Sequence, residues 1–160
     1  MTIEQTLVLI KPDGVARGLV GEIIKRFEQR GLKIIALKLV KINPDFSKKH
    51  YAAHISKGFY KPLESFITSG PIVAIAIEGV DAIENVRKLS GATESKSASP
   101  GTIRGDYSHV SYGHADEKGI AIKNIVHASG NKEDAEKELS LWFSIDEIHS
   151  YKRTDEDHVF

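Results

Sequence analysis

A histidine delivered by a short apolar run into a turn of small residues, with a helix following at once, is the arrangement in this chain best suited to covalent chemistry. Residues 124–143 read NIVHASGNKEDAEKELSLWF. His127 precedes Ala128, Ser129 and Gly130, and Asn131 is placed to N-cap a helix whose first turn carries Glu133 and Asp134 and whose apolar side is Leu139, Trp142 and Phe143. Glu138 falls about two turns into that helix, roughly 10 Å along its axis at about 1.5 Å per residue. A helix folding back past the strand therefore brings the carboxylate to one ring nitrogen of His127 and leaves the other to face a cleft as nucleophile or base. The competing reading is a histidine with no role, the ordinary case for any one of the seven in the chain.

Three cations give that imidazole a possible partner. Lys11 ends the first apolar run, Arg87 lies on a predicted helix, and Arg104 sits in GTIRGD, whose glycines permit tight backbone turns. Arginine holds phosphate oxygens through a planar fork, so these cations with the hydroxyls of Tyr51 and Thr93 could hold a polyphosphate without a glycine-rich loop. Neither G-x-x-x-x-G-K-[ST] nor the protein-kinase Gly-rich, H-R-D and D-F-G signatures occur.

Composition narrows the rest. A length of 160 residues fits one domain, 1–160, able to bury about 70% of its unfolded surface. Lys plus Arg and Asp plus Glu both number 22, so no net field draws the chain to nucleic acid or an anionic membrane, and any anion site is a local cluster. With no cysteine there is no disulfide, thiolate metal site or cysteine nucleophile. The N-terminal apolar run is too short for a membrane span and lacks the marks of a signal peptide, which makes a cytoplasmic protein the expectation.

The elements that must position these residues follow from apolar periodicity. Thr6–Ile10 reads as a buried strand ended by a Lys-Pro-Asp-Gly turn, residues 20–30 as an amphipathic helix closed by Gly31, and Lys33–Ile42 as a second strand. A helix runs from Pro44 to about Ile55 and another over Leu63–Thr68, IVAIAI (72–77) is a third buried strand, and residues 81–89 form a further helix. After a Ser-, Ala- and Gly-rich loop, residues 122–127 supply the last strand. This order matches a split βαβ plan, a four-stranded antiparallel sheet carrying helices on one face.

The segments IKPDGVARGLVGEIIKRFEQRGLK (10–33), SGPIVAIAIEG (69–79), PGTIRGD (100–106), NIVHAS (124–129) and EKELSLWF (136–143) closely resemble nucleoside diphosphate kinase, in order and over almost the whole chain. The resemblance implies an α+β, ferredoxin-like sandwich and transfer of the γ-phosphate of a nucleoside triphosphate to a nucleoside diphosphate through a phosphohistidine on His127, with Glu138 orienting the ring. It implies that Lys11, Tyr51, Arg87, Thr93, Arg104 and Asn124 contact phosphates or ribose, with Lys11 and Tyr51 counted among the catalytic residues, and that Phe59 stacks on the base. Mg²⁺ is expected to ride on the nucleotide phosphates with no protein metal ligand, and the assembly to be a homohexamer or tetramer, its contacts near Tyr151–Phe160 and Gly101.

Two departures stand out. Residues 107–123, YSHVSYGHADEKGIAIK, exceed the usual family spacing and read as a long polar loop; His109, His114, Asp116 and Glu117 within it are incidental rather than a metal site. Gly130 stands where the family commonly has aspartate. A catalytically silent nucleotide-binding or protein-interaction module on the same fold is the alternative, but it needs His127, Glu138 or a phosphate ligand to be missing, and none is. A nucleic-acid-binding sheet needs basic and aromatic residues on its central strands, and IVAIAI carries neither.

Overall fold

The computed structural model describes residues 3–160. Four strands, β1 (Ile3–Ile10), β2 (Lys33–Val40), β3 (Ile72–Val80) and β4 (Val126–Ala128), form one antiparallel sheet in the order β2-β3-β1-β4. The central pair is apolar over Leu7–Ile10 and Ile72–Ile77, where both faces are covered. Leu7 and Leu9 of β1 enter one core with Tyr51, Tyr60, Leu139, Trp142 and Phe143, while Val8 and Ile10 enter the other with Ile23, Phe27, Val86 and Ile125. The alternation of a strand thus feeds two cores, each fully buried aliphatic side chain contributing about 1.5–3 kcal/mol.

The coverage of both faces corrects the expectation of helices on one side only. Helices α2 (Val20–Gln29) and α5 (Ala82–Ser90) supply one layer; α3 (Pro44–His50), α4 (Tyr60–Ile67) and α8 (Lys132–Trp142) supply the other. Among the described residues no helix is long and apolar enough to cross a membrane.

Other boundaries move for local reasons. The Lys-Pro-Asp-Gly turn is the start of a short helix, α1 (Pro12–Ala16), with proline in its first turn, where its missing N–H costs nothing. Gly14 in that helix is required by packing, since a Cβ there would lie 2.8 Å from Cγ2 of Ile10 and 3.0 Å from Cγ2 of Ile125. The helix expected to reach Ile55 stops at His50, followed by a single 3₁₀ turn over Ala52–His54. Residues 107–123 are not simply a loop. They hold the end of α6 (Ile103–Tyr107) and a further helix, α7 (Tyr112–Lys118), N-capped by the Ser111 hydroxyl accepting from the His114 N–H at 3.2 Å and closed by Gly119 at φ 63°. Strand β4 is shorter than expected because Ile125 breaks the extended chain.

Candidate active site

Ile125 sits at φ 74°, rare for a β-branched residue, and the Val126 N–H donates to the Asn124 carbonyl at 2.8 Å across it, closing a γ-turn. Such strain costs about 1–3 kcal/mol and persists because both backbone groups of Ile125 are held from the start of α1: its carbonyl accepts from the Lys11 N–H at 2.7 Å and its N–H donates to the Asp13 carboxylate at 3.0 Å. The turn faces Asn124 inward on one side, and on the other starts β4 in the register Leu9↔His127.

His127 therefore belongs to a paired strand and not to its frayed exit. Ser129 continues the tie to β1, donating its N–H to the Leu7 carbonyl at 3.2 Å and accepting the Leu7 N–H on its hydroxyl at 3.3 Å. Glu138 reaches back from α8 as the helix spacing predicts: Nε2 of His127 lies 3.0 Å from both carboxylate oxygens, and the Ser129 hydroxyl donates to Oε2 at 2.5 Å. Partial burial pushes the Glu138 carboxyl up, but the hydrogen bonds and charge of His127 and the bond from Ser129 outweigh it and leave it below the ordinary carboxylate range. An ionised carboxylate only accepts, so Nε2 carries the proton and Nδ1 the lone pair.

Beside the imidazole lies a cavity of about 220 Å³ whose walls include Lys11, Arg87, Thr93, Arg104, Asn124 and His127, together with Gly91 and Ala92. Six of the residues singled out from sequence thus converge. Lys11 is buried and donates Nζ to Oδ1 of Asn124 at 2.7 Å, while Asn124 donates to the Thr93 carbonyl at 2.7 Å. Burial, then the Arg104 guanidinium, lowers the Lys11 ammonium to about 8. Arg104 is buried too and donates to the carbonyls of Asn124, Gly91 and Val126 at 3.2, 2.7 and 2.6 Å, which binds the cavity walls together. Burial also lowers its own proton affinity, to about 10. With three of its five N–H donors so used, about two remain for a ligand. No carboxylate lines this cavity, so an anion is the ligand that relieves its charge.

Three expected residues lie elsewhere. Glu138 stands behind the ring, as its orienting role requires. Tyr51 is buried in the core with its ring 4.5 Å from His50, and burial followed by the charge of Glu138 pushes its phenol up. Phe59, just before α4, is 52% exposed; the Lys57 ammonium lies over its ring at 5.7 Å and the His54 ring is 5.5 Å away. Ser129 is a member that the sequence did not reveal. Its hydroxyl looks like one small residue in a turn until the helix nine residues later folds back on it.

Fold and site together define a phosphotransferase built on an α+β sandwich: a clamped imidazole at the rim of a cation-lined pocket that has no metal-chelating carboxylate. Comparison with known proteins makes the class specific. A family model for nucleoside diphosphate kinase matches residues 4–148. The nucleoside diphosphate kinase of Pyrococcus abyssi is 52% identical over 153 residues, covering 96% of this chain and 92% of its own, and that of Borreliella burgdorferi is 46% identical, covering 100% and 99%. Among solved structures, the transition-state mimic of nucleoside-diphosphate kinase from Borrelia burgdorferi with bound vanadate and ADP superposes at a TM-score of 0.94 with 45% identity, covering 98% of this chain and 96% of that one. A halophilic nucleoside diphosphate kinase from Halobacterium salinarum in complex with CDP gives 0.89 with 42% identity, covering 99% of each chain. The chain belongs to the nucleoside diphosphate kinase family.

Proposed function

We propose that residues 1–160 act as one catalytic domain that transfers the γ-phosphate of a nucleoside triphosphate, typically ATP, to a nucleoside diphosphate through a phosphohistidine at Nδ1 of His127. The observation that carries this is the pairing of a lone-pair-bearing Nδ1, fixed by the Glu138 clamp on Nε2, with a cation-walled cavity beside it. In the first half-reaction the Nδ1–P bond forms and the bond from the γ-phosphorus to the β–γ bridging oxygen breaks, releasing a nucleoside diphosphate. The Nε2 proton stays on the ring, and Glu138 stabilises the positive charge the ring acquires. In the second half a terminal phosphate oxygen of an acceptor diphosphate attacks the phosphorus and the Nδ1–P bond breaks. Donor and acceptor use one site in turn, so a single cavity suffices.

The transferred group is loose and metaphosphate-like, so the protein's contribution is alignment and charge stabilisation. Lys11, Arg87 and the free donors of Arg104 take the phosphate oxygens, Thr93 and Asn124 complete the phosphate and ribose contacts, and Tyr51, which the resemblance counts with Lys11 as catalytic, stands outside the cavity walls beside His50. Phe59 offers its face to any base, which accounts for broad nucleotide use. A cavity lined by cations fits a Mg²⁺ that arrives chelated by phosphate; bound there it neutralises phosphate charge, and the protein supplies no carboxylate cage. A cysteine-free chain fits the reducing cytoplasm. The test is incubation with γ-labelled ATP: the wild type is expected to acquire an acid-labile, base-stable label that His127→Ala loses. Label persisting on another residue of His127→Ala overturns the assignment, and an unlabelled wild type points to the silent module.

A further inference from the structure

His50, at the last turn of α3, is a histidine the mechanism above does not use, yet it stands directly against the nucleophile. Its ring packs edge-to-face on His127 with centroids 4.8 Å apart and planes at 81°, and one of its nitrogens, one nitrogen of His127 and a Glu138 oxygen all lie within 4.8 Å of one another. Two imidazoles and a carboxylate at that separation resemble a metal cage, but the hydrogen bonds argue otherwise. Nδ1 of His50 accepts from the Trp142 indole N–H at 3.0 Å, and an indole can only donate. A neutral His50 ring therefore carries its proton on Nε2 and offers no lone pair toward a metal without breaking that bond. Burial, then the neighbouring His127, lowers His50 to about 3, so the ring stays uncharged in the working range.

The origin of this arrangement is one helix. Glu138 and Trp142 are four residues apart on α8 and share a face. Glu138 takes Nε2 of His127 and Trp142 takes Nδ1 of His50, so the two stacked rings are each pinned to the same turn of α8. Further rings close the back of the stack, with Tyr51 4.5 Å from His50, Trp142 5.5 Å from it, and Phe46 4.8 Å from Trp142. A hydrogen bond from one nitrogen fixes where a ring is hinged but leaves it free to swing about that bond. A perpendicular ring packed against it removes the swing.

The geometry points to His50 as a positioning residue: pinned by Trp142, it acts as an uncharged wall that fixes the plane of the His127 ring so that Nδ1 stays aimed at the phosphate cavity. This rests on His127 being the phosphate carrier, and misalignment of a reacting atom by about 1 Å can cost on the order of 100-fold in rate.

Single-turnover labelling of the full-length protein from γ-labelled ATP, with nucleotide affinity measured separately, tests it. His50→Ala is expected to slow labelling at saturating ATP by about 10- to 100-fold while the dissociation constant for nucleotide changes by less than about 2-fold. His50→Phe, which restores a flat ring with no nitrogen, is expected to recover most of that rate. ¹⁵N shifts of the His127 ring are expected to report one tautomer, protonated at Nε2, in the wild type, His50→Phe and His50→Ala alike, because Glu138 sets it in all three and only the ring plane is released. An unchanged rate in His50→Ala, or a loss confined to affinity, overturns the proposal; so does a His50→Phe protein as slow as His50→Ala, which would mean that a nitrogen takes part. Should His50→Ala not fold, His50→Val decides: it keeps apolar bulk in the core without a flat ring, and an unchanged labelling rate refutes the wall. Failure of the wild type to label sinks the phosphohistidine itself, so the two ideas fail separately.

Discussion

Lys11 carries its charge where the surroundings penalise it, and that gives the site a pH signature of defined sign. Its ammonium titrates at about 8 in the folded protein against an ordinary 10.5, because burial and Arg104 both disfavour the proton. The cation is present below about pH 8 and is lost above it, so kcat/KM, which reports the free protein, is expected to fall as pH rises through that value. Bound phosphate restores the proton, so kcat is expected to hold over the same range. Stability moves the other way. Between about 8 and 10.5 the unfolded chain keeps a proton the folded one has shed, and stability from this group rises with pH. Rate profiles and thermal melts over pH 7–10 check both signs, and Lys11→Arg is expected to abolish the alkaline limb because a guanidinium holds its proton. For Glu138→Gln the expectation is a fall in turnover of about 10²- to 10⁴-fold with KM near normal, since the carboxylate supports a charge that exists only once phosphorus has bonded to Nδ1. Ser129→Ala, removing one donor to that carboxylate, is expected to give a smaller loss of the same kind. A raised KM with unchanged turnover in either variant contradicts the orienting role.

At the scale of elements, α8 is the piece on which the site turns, and its start is testable on its own. Asn131 caps it, the side-chain oxygen accepting the Asp134 N–H at 2.9 Å, with Glu133 and Asp134 against the positive end of the helix. Asn131→Ala is expected to cost about 1 kcal/mol, seen as a fall of about 2–4 °C in melting temperature. Gly130 ahead of it has no positive φ to defend, and a Cβ there would meet only the Asp134 carboxylate at 2.9 Å, on the oxygen that also accepts from the Asn131 amide at 2.9 Å. This cap was legible in the sequence because it depends on neighbours within three residues. So was the reach of Glu138, which follows from helical rise. What was not legible depended on partners far along the chain. Ile125 takes φ 74° only because Lys11 and Asp13 hold it, and that shortened β4 below its apolar run. Helix α7 announces itself only weakly, by Ser111 before it and Gly119 after it, around a polar stretch with little apolar periodicity. Nor does any spacing reveal that Trp142 and Glu138 meet two different histidines.

For the whole molecule, the C-terminal tail and strand β2 bear on assembly. The tail was expected to supply subunit contacts, yet much of it is bound to its own chain. His149 donates its N–H to the Ile35 carbonyl at 2.8 Å, the Tyr151 hydroxyl donates to that of Ile34 at 2.6 Å, and Arg153 reaches those of Gly31 and Leu32 at 3.2 and 3.0 Å. Glu156 of the last helix, α9 (Glu156–Val159), completes the seam by pairing with buried Lys33 at 2.8 Å. The tail thus covers the first half of edge strand β2 and stops there. Leu37 and Leu39 in the second half remain 51% and 63% exposed, an apolar edge of the kind that pairs with another chain unless something blocks it. The expected homohexamer or tetramer therefore has in this edge a surface that a second copy can bury, alongside the loop at Gly101, which Asp106 and Arg26 brace from within. Light scattering at low micromolar concentration is expected to give a multiple of 17.7 kDa. Leu37→Lys with Leu39→Lys is expected to lower that mass while His127 still accepts label, because neither side chain lines the phosphate cavity. A wild type that scatters as a monomer removes the assembly and leaves the chemistry standing, whereas a doubly substituted protein with undiminished mass would place the contact on another surface.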